Sequence, residues 1–328
     1  MSQINLAVDI MGGDFGPKTV IKAVSEASKL HPNVNFRLFG DKKKALVEIA
    51  KTDLSKNFEI IHTSEYIKSD DEPVNALRKL KKSSLRLAVN DVEEKKSHGL
   101  VSAGNTGALM AISKFVLKTI SGISRPAIAG IMPTLKGEIV ILDLGANIDC
   151  TDENLVQFAL MGEVFSKSLL GTKTPSIGIL NVGSEEIKGN AVVKQTFEEL
   201  EKLSSHINFH GFIEGNDINK GIVDVVVTDG FSGNIALKTA EGVAELIVHF
   251  LQGYFKSSLL AKMGYILSKP ALNRFKARID PRKYNGAVLL GLNGIVVKSH
   301  GGADSFGFSN AISAAISLIE NNYNSEIK

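Results

Sequence analysis

The feature that most constrains this chain is a regular alternation of short, apolar, β-branched segments with longer amphipathic ones along almost all of its 328 residues. Several short segments are almost entirely apolar, as expected for parallel strands that are covered by helices on both faces. The alternation predicts an α/β fold, a three-layer α/β/α sandwich around a doubly wound, mostly parallel sheet. The strand segments are INLAVDI, NFRLFG, FEIIHT, GLVSAG, AIAGIM, EIVILDLG, SIGILNVG, INFHGFI, VDVVVTDG, AVLLGL and GIVVKSHG.

The amphipathic segments predict the helices of this fold. No stretch rich in proline, glycine or serine divides the chain, so residues 1–328 are expected to form a single two-lobed domain with a ligand cleft between the lobes. The predicted helices cover roughly residues 17–30, 41–53, 73–96, 106–119, 152–169, 188–204, 233–256 and 304–322.

Composition excludes several classes of protein. The net charge of +3 is too small to indicate nucleic-acid binding by itself. The single cysteine, Cys150, allows no internal disulfide or thiolate metal cluster, which is typical of a reducing, cytoplasmic compartment. H-E-x-x-H does not occur in the sequence, and no zinc site is expected. The N-terminus lacks a secretory pattern, and the apolar runs are shorter than the ~18–20 residues of a spanning helix.

Six predicted strands end in small polar residues that include glycine. In an open α/β sheet the carboxyl ends of parallel strands line the ligand crevice, where glycine lets backbone N–H groups approach an anion. We therefore expect these six strand-end loops to converge on one edge of the sheet as an anion-binding cleft, although turn geometry and helix capping would explain any one of them. The loops are DIMGGD (9–14), SAGNTG (102–107), DLGAN (143–147), NVGSE (181–185), TDGFSGN (228–234) and SHGGAD (299–304).

Other chemical patterns are weak. GGDFGPKT differs from a Walker phosphate loop because Pro17 separates Gly16 from Lys18, and no G-x-G-x-x-G occurs. Cys150 has no histidine close in sequence that would activate it as a nucleophile. His300 fits a general acid or base, an anion ligand or an ordinary turn residue equally well. The lack of a nucleophile favours chemistry in which a substrate anion attacks directly and the protein supplies positioning and charge stabilisation.

Taken together, six motifs resemble those of the phosphate acyltransferases of bacterial phospholipid synthesis. They are AVDIMGGDFGP, VSAGNTGALM, LDLGANID, LNVGSEEIKGN, VVTDGFSGNIALKTAEG and YNGAVLLGLNGIVVKSHGGAD, in order from about residue 4 to residue 320. That family transfers a fatty acyl group from acyl carrier protein to inorganic phosphate, giving acyl phosphate. The resemblance implies a fold similar to phosphotransacetylases and isocitrate/isopropylmalate dehydrogenases, a homodimer and no cofactor.

The resemblance also implies which residues form the site. Asparagine amides and glycine N–H groups are candidate donors to the thioester oxygen, Lys188 or His300 could offset phosphate charge, and His300 could protonate the leaving thiolate. The implied catalytic residues are Asn105, Asn147, Lys188, Asn234 and His300. The implied substrate- and phosphate-binding residues are Asp9, Gly12, Gly13, Asp14, Thr106, Glu185, Asp229, Ser232 and Asp304.

Residues 246–283 form a basic amphipathic segment. Apolar residues recur at helical spacing on either side of KSS (256–258), which predicts a helical hairpin with its tip there. Eight Lys or Arg residues and one acid lie between 256 and 283. The segment is therefore expected to lie on a membrane surface, with contacts from Phe255, Leu259, Leu260 and Met263, although an acyl carrier protein or a dimer partner would also fit.

Three alternatives remain open at this point. A phosphotransacetylase-type enzyme that uses a short acyl-CoA would share the fold. A nicotinamide-dependent decarboxylating dehydrogenase would share it too, but its aspartate metal site and nucleotide loops are not found in the sequence. A membrane-associated scaffold without catalysis is the third, and six intact polar loops count against it.

Overall fold

The computed structural model describes residues 3–54 and 56–327 of the chain. In these ranges, all the predicted strand segments form one sheet of eleven strands, in the order β3-β2-β1-β4-β11-β10-β5-β6-β9-β7-β8. The strands are β1 Ile4–Asp9, β2 Val34–Gly40, β3 Phe58–His62, β4 Gly99–Ser102, β5 Ala127–Pro133, β6 Glu138–Leu142, β7 Ser176–Leu180, β8 Asn208–Ile213, β9 Val225–Val227, β10 Ala287–Leu290 and β11 Ile295–Lys298.

The helices follow the predicted segments with three differences. The predicted helix 73–96 is two helices, because Ser83 accepts a hydrogen bond from the Arg86 N–H and so begins a second one. Short helices at 215–220 and 323–326 were not predicted. The helices are α1 Pro17–Leu30, α2 Lys42–Ile49, α3 Pro73–Lys79, α4 Ser84–Glu93, α5 Thr106–Leu117, α6 Asp152–Leu170, α7 Ala191–Lys202, α8 Gly215–Lys220, α9 Gly230–Lys256, α10 Leu259–Ile279, α11 Ser305–Glu320 and α12 Tyr323–Glu326.

Both faces of the sheet are covered by helices. Alternate residues of each strand point to opposite faces. On one face, Leu6 and Val8 of β1 pack in a core with α1, α6 and α11. On the other, Ala7 packs in a second core with α4 and α5. The two cores explain the nearly continuous apolar strands and establish the predicted three-layer α/β/α sandwich.

The sheet contains two parallel blocks that run in opposite directions. Strands β3, β2, β1, β4 and β11 are parallel to one another, and so are β6, β9, β7 and β8. Three antiparallel pairings separate the blocks, namely β11 with β10, β10 with β5, and β5 with β6. Because three reversals leave the blocks opposed, the loops after β1, β4 and β11 leave one edge and the loops after β6, β7 and β9 leave the other. The expected convergence of all six loops on one edge is wrong.

Helices α9 and α10 form a hairpin that extends beyond the sandwich. The first turns of α9 pack against the core, but of its residues only Gly230 and Gly233 are fully buried, and within the described range 259–279 α10 buries none. The helices break at Ser257 and Ser258, where the apolar spacing predicts the tip. In the described ranges no helix combines the length and the apolar composition needed to span a bilayer.

Candidate functional site

The candidate residues fall into two groups that follow from the strand directions. The first loop group comprises residues 9–16, 102–106 and 299–304, which follow β1, β4 and β11. The second loop group comprises residues 143–151, 181–190 and 228–234, which follow β6, β7 and β9. Among the described residues, no hydrogen bond joins the first loop group directly to the second.

Asp9 is the buried centre of the first loop group. Its carboxylate accepts hydrogen bonds from the hydroxyls of Ser84 (2.7 Å) and Ser102 (2.8 Å) and from the Met11 N–H (3.2 Å). Burial raises the pKa of Asp9, and these hydrogen bonds oppose that shift. Because its partners come from α4, β4 and its own loop, Asp9 connects three elements.

The glycines of the first loop explain why a buried strand ends in a flexible loop. A Cβ at Gly12 would lie 2.6 Å from the backbone nitrogen of Gly104, and Gly13 has a φ of +84°. The Asp14 N–H donates to the Gly301 carbonyl (2.9 Å). These three loops therefore touch through their backbones, and the exposed Asp14 carboxylate lies over the turn at Gly302.

His300 is exposed at the rim of this group with a defined orientation. Its Nδ1 accepts from the Gly302 N–H (3.1 Å), so in the neutral ring Nε2 carries the proton. The His300 N–H donates to the side chain of Asn285 (2.9 Å). Asp304 caps α11 through the Gly307 N–H and pairs with Arg282 at 2.8 Å, and both contacts lower the pKa of Asp304.

Asn105 and Thr106 begin α5. The Asn105 side-chain oxygen caps the helix at the Ala108 N–H, and its amide donates both N–H groups, to the carbonyls of Ser69 (2.9 Å) and Asp71 (3.0 Å). No amide donor of Asn105 is therefore left for a substrate in this arrangement. Thr106 is exposed.

Asp143, which was not among the predicted site residues, organises the second loop group. Its buried carboxylate accepts from the N–H groups of Ile128 (3.0 Å), Ala146 (3.0 Å) and Asn147 (2.7 Å), and from the Asn147 amide (2.8 Å). Burial raises the pKa of Asp143. The second Asn147 amide N–H donates to the Pro126 carbonyl, so both amide donors of Asn147 are used.

The start of α9 completes the second loop group. Asp229 caps the helix, accepting from the N–H (2.7 Å) and the hydroxyl (3.1 Å) of Ser232. Asn234 packs beside Gly145, where a Cβ would lie 3.6 Å from its amide carbon. Its side chain makes no hydrogen bond within the described ranges 3–54 and 56–327, so Asn234 is the predicted asparagine whose amide remains free to donate.

Three further residues of this group are an exposed ion pair and a half-buried cysteine. Glu185 and Lys188 form an exposed ion pair at 2.8 Å, which lowers the pKa of Glu185 and raises that of Lys188. Burial, with help from Asp143 and Asp229, raises the pKa of the Cys150 thiol to about 11. A thiol with so little thiolate at neutral pH is a poor nucleophile.

Lys298, the last residue of β11, is a partly buried cation that the sequence prediction missed. Its ammonium donates to the Ala103 carbonyl (3.4 Å) and to the Ser299 carbonyl. Burial lowers the pKa of Lys298 to about 8, and the charges of Asp14 and Asp9 oppose this shift. The only signal in the sequence is a lysine that directly follows the apolar run IVV.

Solved structures share this fold. A phosphotransacetylase from Streptococcus pyogenes superposes with a TM-score of 0.64 at 20% identity, covering 96% of this chain and 94% of that one. A 4-hydroxythreonine-4-phosphate dehydrogenase from Klebsiella pneumoniae has a TM-score of 0.56 at 15% identity, covering 97% and 98%. At these identities the likeness shows the fold alone.

Sequence relatives are much closer. A family model described as fatty acid synthesis protein matches residues 4–326. A phosphate acyltransferase of Paramagnetospirillum magneticum is 52% identical over 326 residues, 99% of this chain and 93% of the relative. A phosphate acyltransferase of Rhodospirillum rubrum is 50% identical over 324 residues, 98% of this chain and 93% of the relative. The chain therefore belongs to the fatty acid synthesis protein family, that of the bacterial phosphate acyltransferases of phospholipid synthesis.

Proposed function

We propose that this protein transfers a fatty acyl group from acyl carrier protein to inorganic phosphate, giving an acyl phosphate for phospholipid synthesis. Acyl transfer to phosphate rests on family membership and on relatives that are named phosphate acyltransferases. The proposal adds two points to this: the acyl donor is bound to acyl carrier protein, and the product is an acyl phosphate. The structural observation that best supports direct transfer to phosphate is the combination of polar loops that carry hydrogen-bond donors, such as His300 Nε2–H, with a single cysteine, Cys150, whose thiol has a raised pKa.

This combination favours direct attack over an acyl-enzyme intermediate. A phosphate oxygen forms a bond to the thioester carbonyl carbon, the carbon–sulfur bond breaks, and the leaving thiolate takes up a proton. The free amide of Asn234 belongs to the second loop group, at the sheet edge opposite His300, so the glycine N–H groups of the first loop group are the candidate donors to the carbonyl oxygen as its charge develops. His300 Nε2–H is a candidate donor to phosphate or to the leaving sulfur.

Phosphate is assigned to the first loop group because Lys298 and His300 lie there. The returning leg of the hairpin is attached to the same group, since Arg282 pairs with Asp304 and Asn285 binds the His300 N–H. An acyl donor that approaches along the hairpin would therefore arrive beside Lys298 and His300. A homodimer is proposed with this function, and the mass of the protein in solution tests it.

Contact with the membrane surface is proposed for the hairpin. Leu259 and Leu260 at its tip are 81% and 79% exposed, and Met263 is exposed beside them. An apolar groove of about 420 Å³ between the helices is bordered by Lys256, Lys262 and Lys276. Exposed apolar side chains bordered by cations suit an anionic lipid surface. Phe255 is half-buried and packs against Tyr265, with ring centroids 5.5 Å apart, so it stabilises the hairpin.

The reaction is tested by incubating the purified protein with long-chain acyl-acyl carrier protein and phosphate. Hydroxylamine traps acyl phosphate as a hydroxamate, and release of the carrier thiol is followed in parallel. Phosphate-dependent hydroxamate is expected. Activity with acetyl-CoA and none with the carrier would favour a phosphotransacetylase-type enzyme, and inactivity with both donors would contradict the proposal.

The membrane contact is tested separately by co-sedimentation with vesicles containing anionic lipid. Replacing Leu259 and Leu260 with alanine should abolish binding. The matched control replaces Leu46 and Val47, which are exposed apolar residues on α2. Unchanged sedimentation of the Leu259/Leu260 variant would contradict the anchor and leave the hairpin for a protein partner.

A further inference from the structure

Lys298 stands in a row of polar side chains that crosses three adjacent strands. Asp9 of β1 pairs with Ser102 of β4, and Ser102 pairs with Lys298 of β11. Residues in register on parallel strands point to the same face of a sheet, here the face covered by α4 and α5. The row ends three strands whose following loops form the first loop group.

The ammonium of Lys298 is only partly satisfied. It has three N–H donors, and two are used by the carbonyls of Ala103 and Ser299. Among the described residues no carboxylate lies within 4 Å of it, so it has no ion-pair partner. Asp9, the carboxylate of the row, already accepts from two hydroxyls and a backbone N–H.

The charges of Asp14 and Asp9 act on this cation only from beyond ion-pair distance, so a bound anion would supply the direct counter-charge that partial burial calls for. The surrounding groups indicate which ligand. Gly13 and Gly301 lie close to the Ala103 carbonyl that accepts from the ammonium, and His300, whose Nδ1 is occupied by the Gly302 N–H, belongs to the loop that follows Lys298 and has Nε2–H as its donor. These are features of a small-anion site rather than of an apolar or cationic one.

We propose that Lys298 is a further substrate-binding residue of the acyl transfer, whose third ammonium N–H holds an oxygen of the inorganic phosphate nucleophile. This inference rests on the proposed function. The lysine keeps its proton throughout the reaction: the attacking phosphate oxygen forms the bond to the acyl carbon while a second oxygen stays on the ammonium. The exposed Asp14 carboxylate accepts the remaining phosphate O–H, which favours hydrogen phosphate over a fully deprotonated anion.

The proposal has a pH signature. The pKa of Lys298 is lowered to about 8 by burial, so its charge is lost at mildly alkaline pH. Phosphate binding should therefore weaken as the pH rises through about 8, whereas an arginine at this position keeps its charge. Other titratable or charged groups belong to or contact this loop group and would contribute to any single pH profile. They are Asp9, Asp14, His300, Asp304 and Arg282, which pairs with Asp304. The signature of Lys298 is consequently the difference between two pH profiles of the KM for phosphate, that of Lys298→Arg and that of the unmodified protein.

The experiment measures steady-state kinetics of Lys298→Met and Lys298→Arg with acyl-acyl carrier protein and phosphate, trapping the product with hydroxylamine. Lys202→Met, an exposed lysine on α7, is the matched control. Loss of one charged hydrogen bond should raise the KM for phosphate about 10- to 100-fold in Lys298→Met while the KM for the acyl donor stays unchanged. Lys298→Arg should retain most phosphate binding and lose the fall near pH 8.

Equal KM values for phosphate in Lys298→Met and the control would overturn the proposal, as would equal increases in the KM of both substrates. If Lys298→Met does not fold, the pH profile of Lys298→Arg decides, and an unchanged profile overturns it. Calorimetric titration with inorganic phosphate separates this proposal from the proposed function. Should the protein make no acyl phosphate, phosphate binding that Lys298→Met abolishes would still support the site, and absence of binding to the unmodified protein would overturn it.

Discussion

Asp9 and Asp143 show how similar sequence signals produce two different kinds of loop. Each follows or ends an apolar strand, each is buried, and burial raises the pKa of each. The partners of Asp9 include the hydroxyls of two serines from other elements, whereas those of Asp143 are backbone N–H groups and one amide. A hydroxyl can turn to donate or accept, but an N–H can only donate. The serine partners of Asp9 could therefore adapt to a different side chain at position 9. The N–H partners of Asp143 require a hydrogen-bond acceptor at position 143.

The largest expected loss of stability comes from replacing Asp143 with asparagine, and it should exceed the loss for the same replacement at Asp9. Both carboxylate oxygens of Asp143 accept hydrogen bonds from N–H groups. Asp143→Asn replaces one of these oxygens with an NH₂ group, so at least one buried N–H donor loses its acceptor. We expect a loss of about 2–4 kcal/mol in the free energy of unfolding, measured by urea denaturation. A loss below about 1 kcal/mol would show that the loop can rearrange around an amide.

Two glycine substitutions compare how closely each loop group is packed. A Cβ at Gly233 would lie 2.1 Å from the Asp143 carbonyl oxygen, whereas a Cβ at Gly301 would meet its nearest neighbour at 3.6 Å. We expect Gly233→Ala to cost about 1–3 kcal/mol through overpacking, and Gly301→Ala to cost much less. Thermal unfolding of both variants checks this, and equal changes in Tm would contradict the comparison.

A smaller effect, dependent on pH, is expected for Asp9→Asn. Ser84 and Ser102 can turn their hydroxyls toward an amide, so the cost should be near 1 kcal/mol. Because the folded pKa of Asp9 is raised, its stabilising contribution is complete below the unfolded pKa and is lost as the pH rises through the folded value. The destabilisation by Asp9→Asn should therefore be larger near pH 4 than near pH 8. A constant difference over this range would show that Asp9 does not titrate as expected.

The smallest perturbation probes the second loop group without changing a residue. With a pKa of about 11, Cys150 should react slowly with iodoacetamide at neutral pH, and its rate should rise about tenfold per pH unit until that pKa is reached. Mass spectrometry measures the modified fraction. Fast modification near pH 7 would mean that the loop opens and exposes the thiol.

The strands could be predicted from the sequence, but their directions were not. Apolar runs report burial on both faces and carry no information about which way a strand runs. The missing information was in the connections. Residues 134–137 join β5 to β6 and residues 291–294 join β10 to β11, and four residues are too few for a parallel crossover. The sequence GLNG (291–294) is the connection between β10 and β11, one of the antiparallel pairings that reverse the sheet.

The candidate site was predicted in outline, as residues in strand-end loops, and its internal division was not. Asn105 and Asn147 lie in polar loops similar to that of Asn234, yet the amide donors of both are used. Asn105 donates to the carbonyls of Ser69 and Asp71, and Asn147 donates to the Pro126 carbonyl and the Asp143 carboxylate. The three carbonyl partners lie 21 or more residues away in sequence. Whether a polar side chain is free or occupied depends on such distant contacts, and no local motif reports them.

Helix α9 has a mechanical consequence. Its 27 residues form a rod about 40 Å long that starts among Asp229, Ser232 and Asn234 and ends at the hairpin tip. The returning leg leads to Arg282 and Asn285, which contact Asp304 and His300. The hairpin is thus attached to both loop groups, through the start of α9 and through the residues that follow α10. A displacement of its tip would be transmitted to both groups.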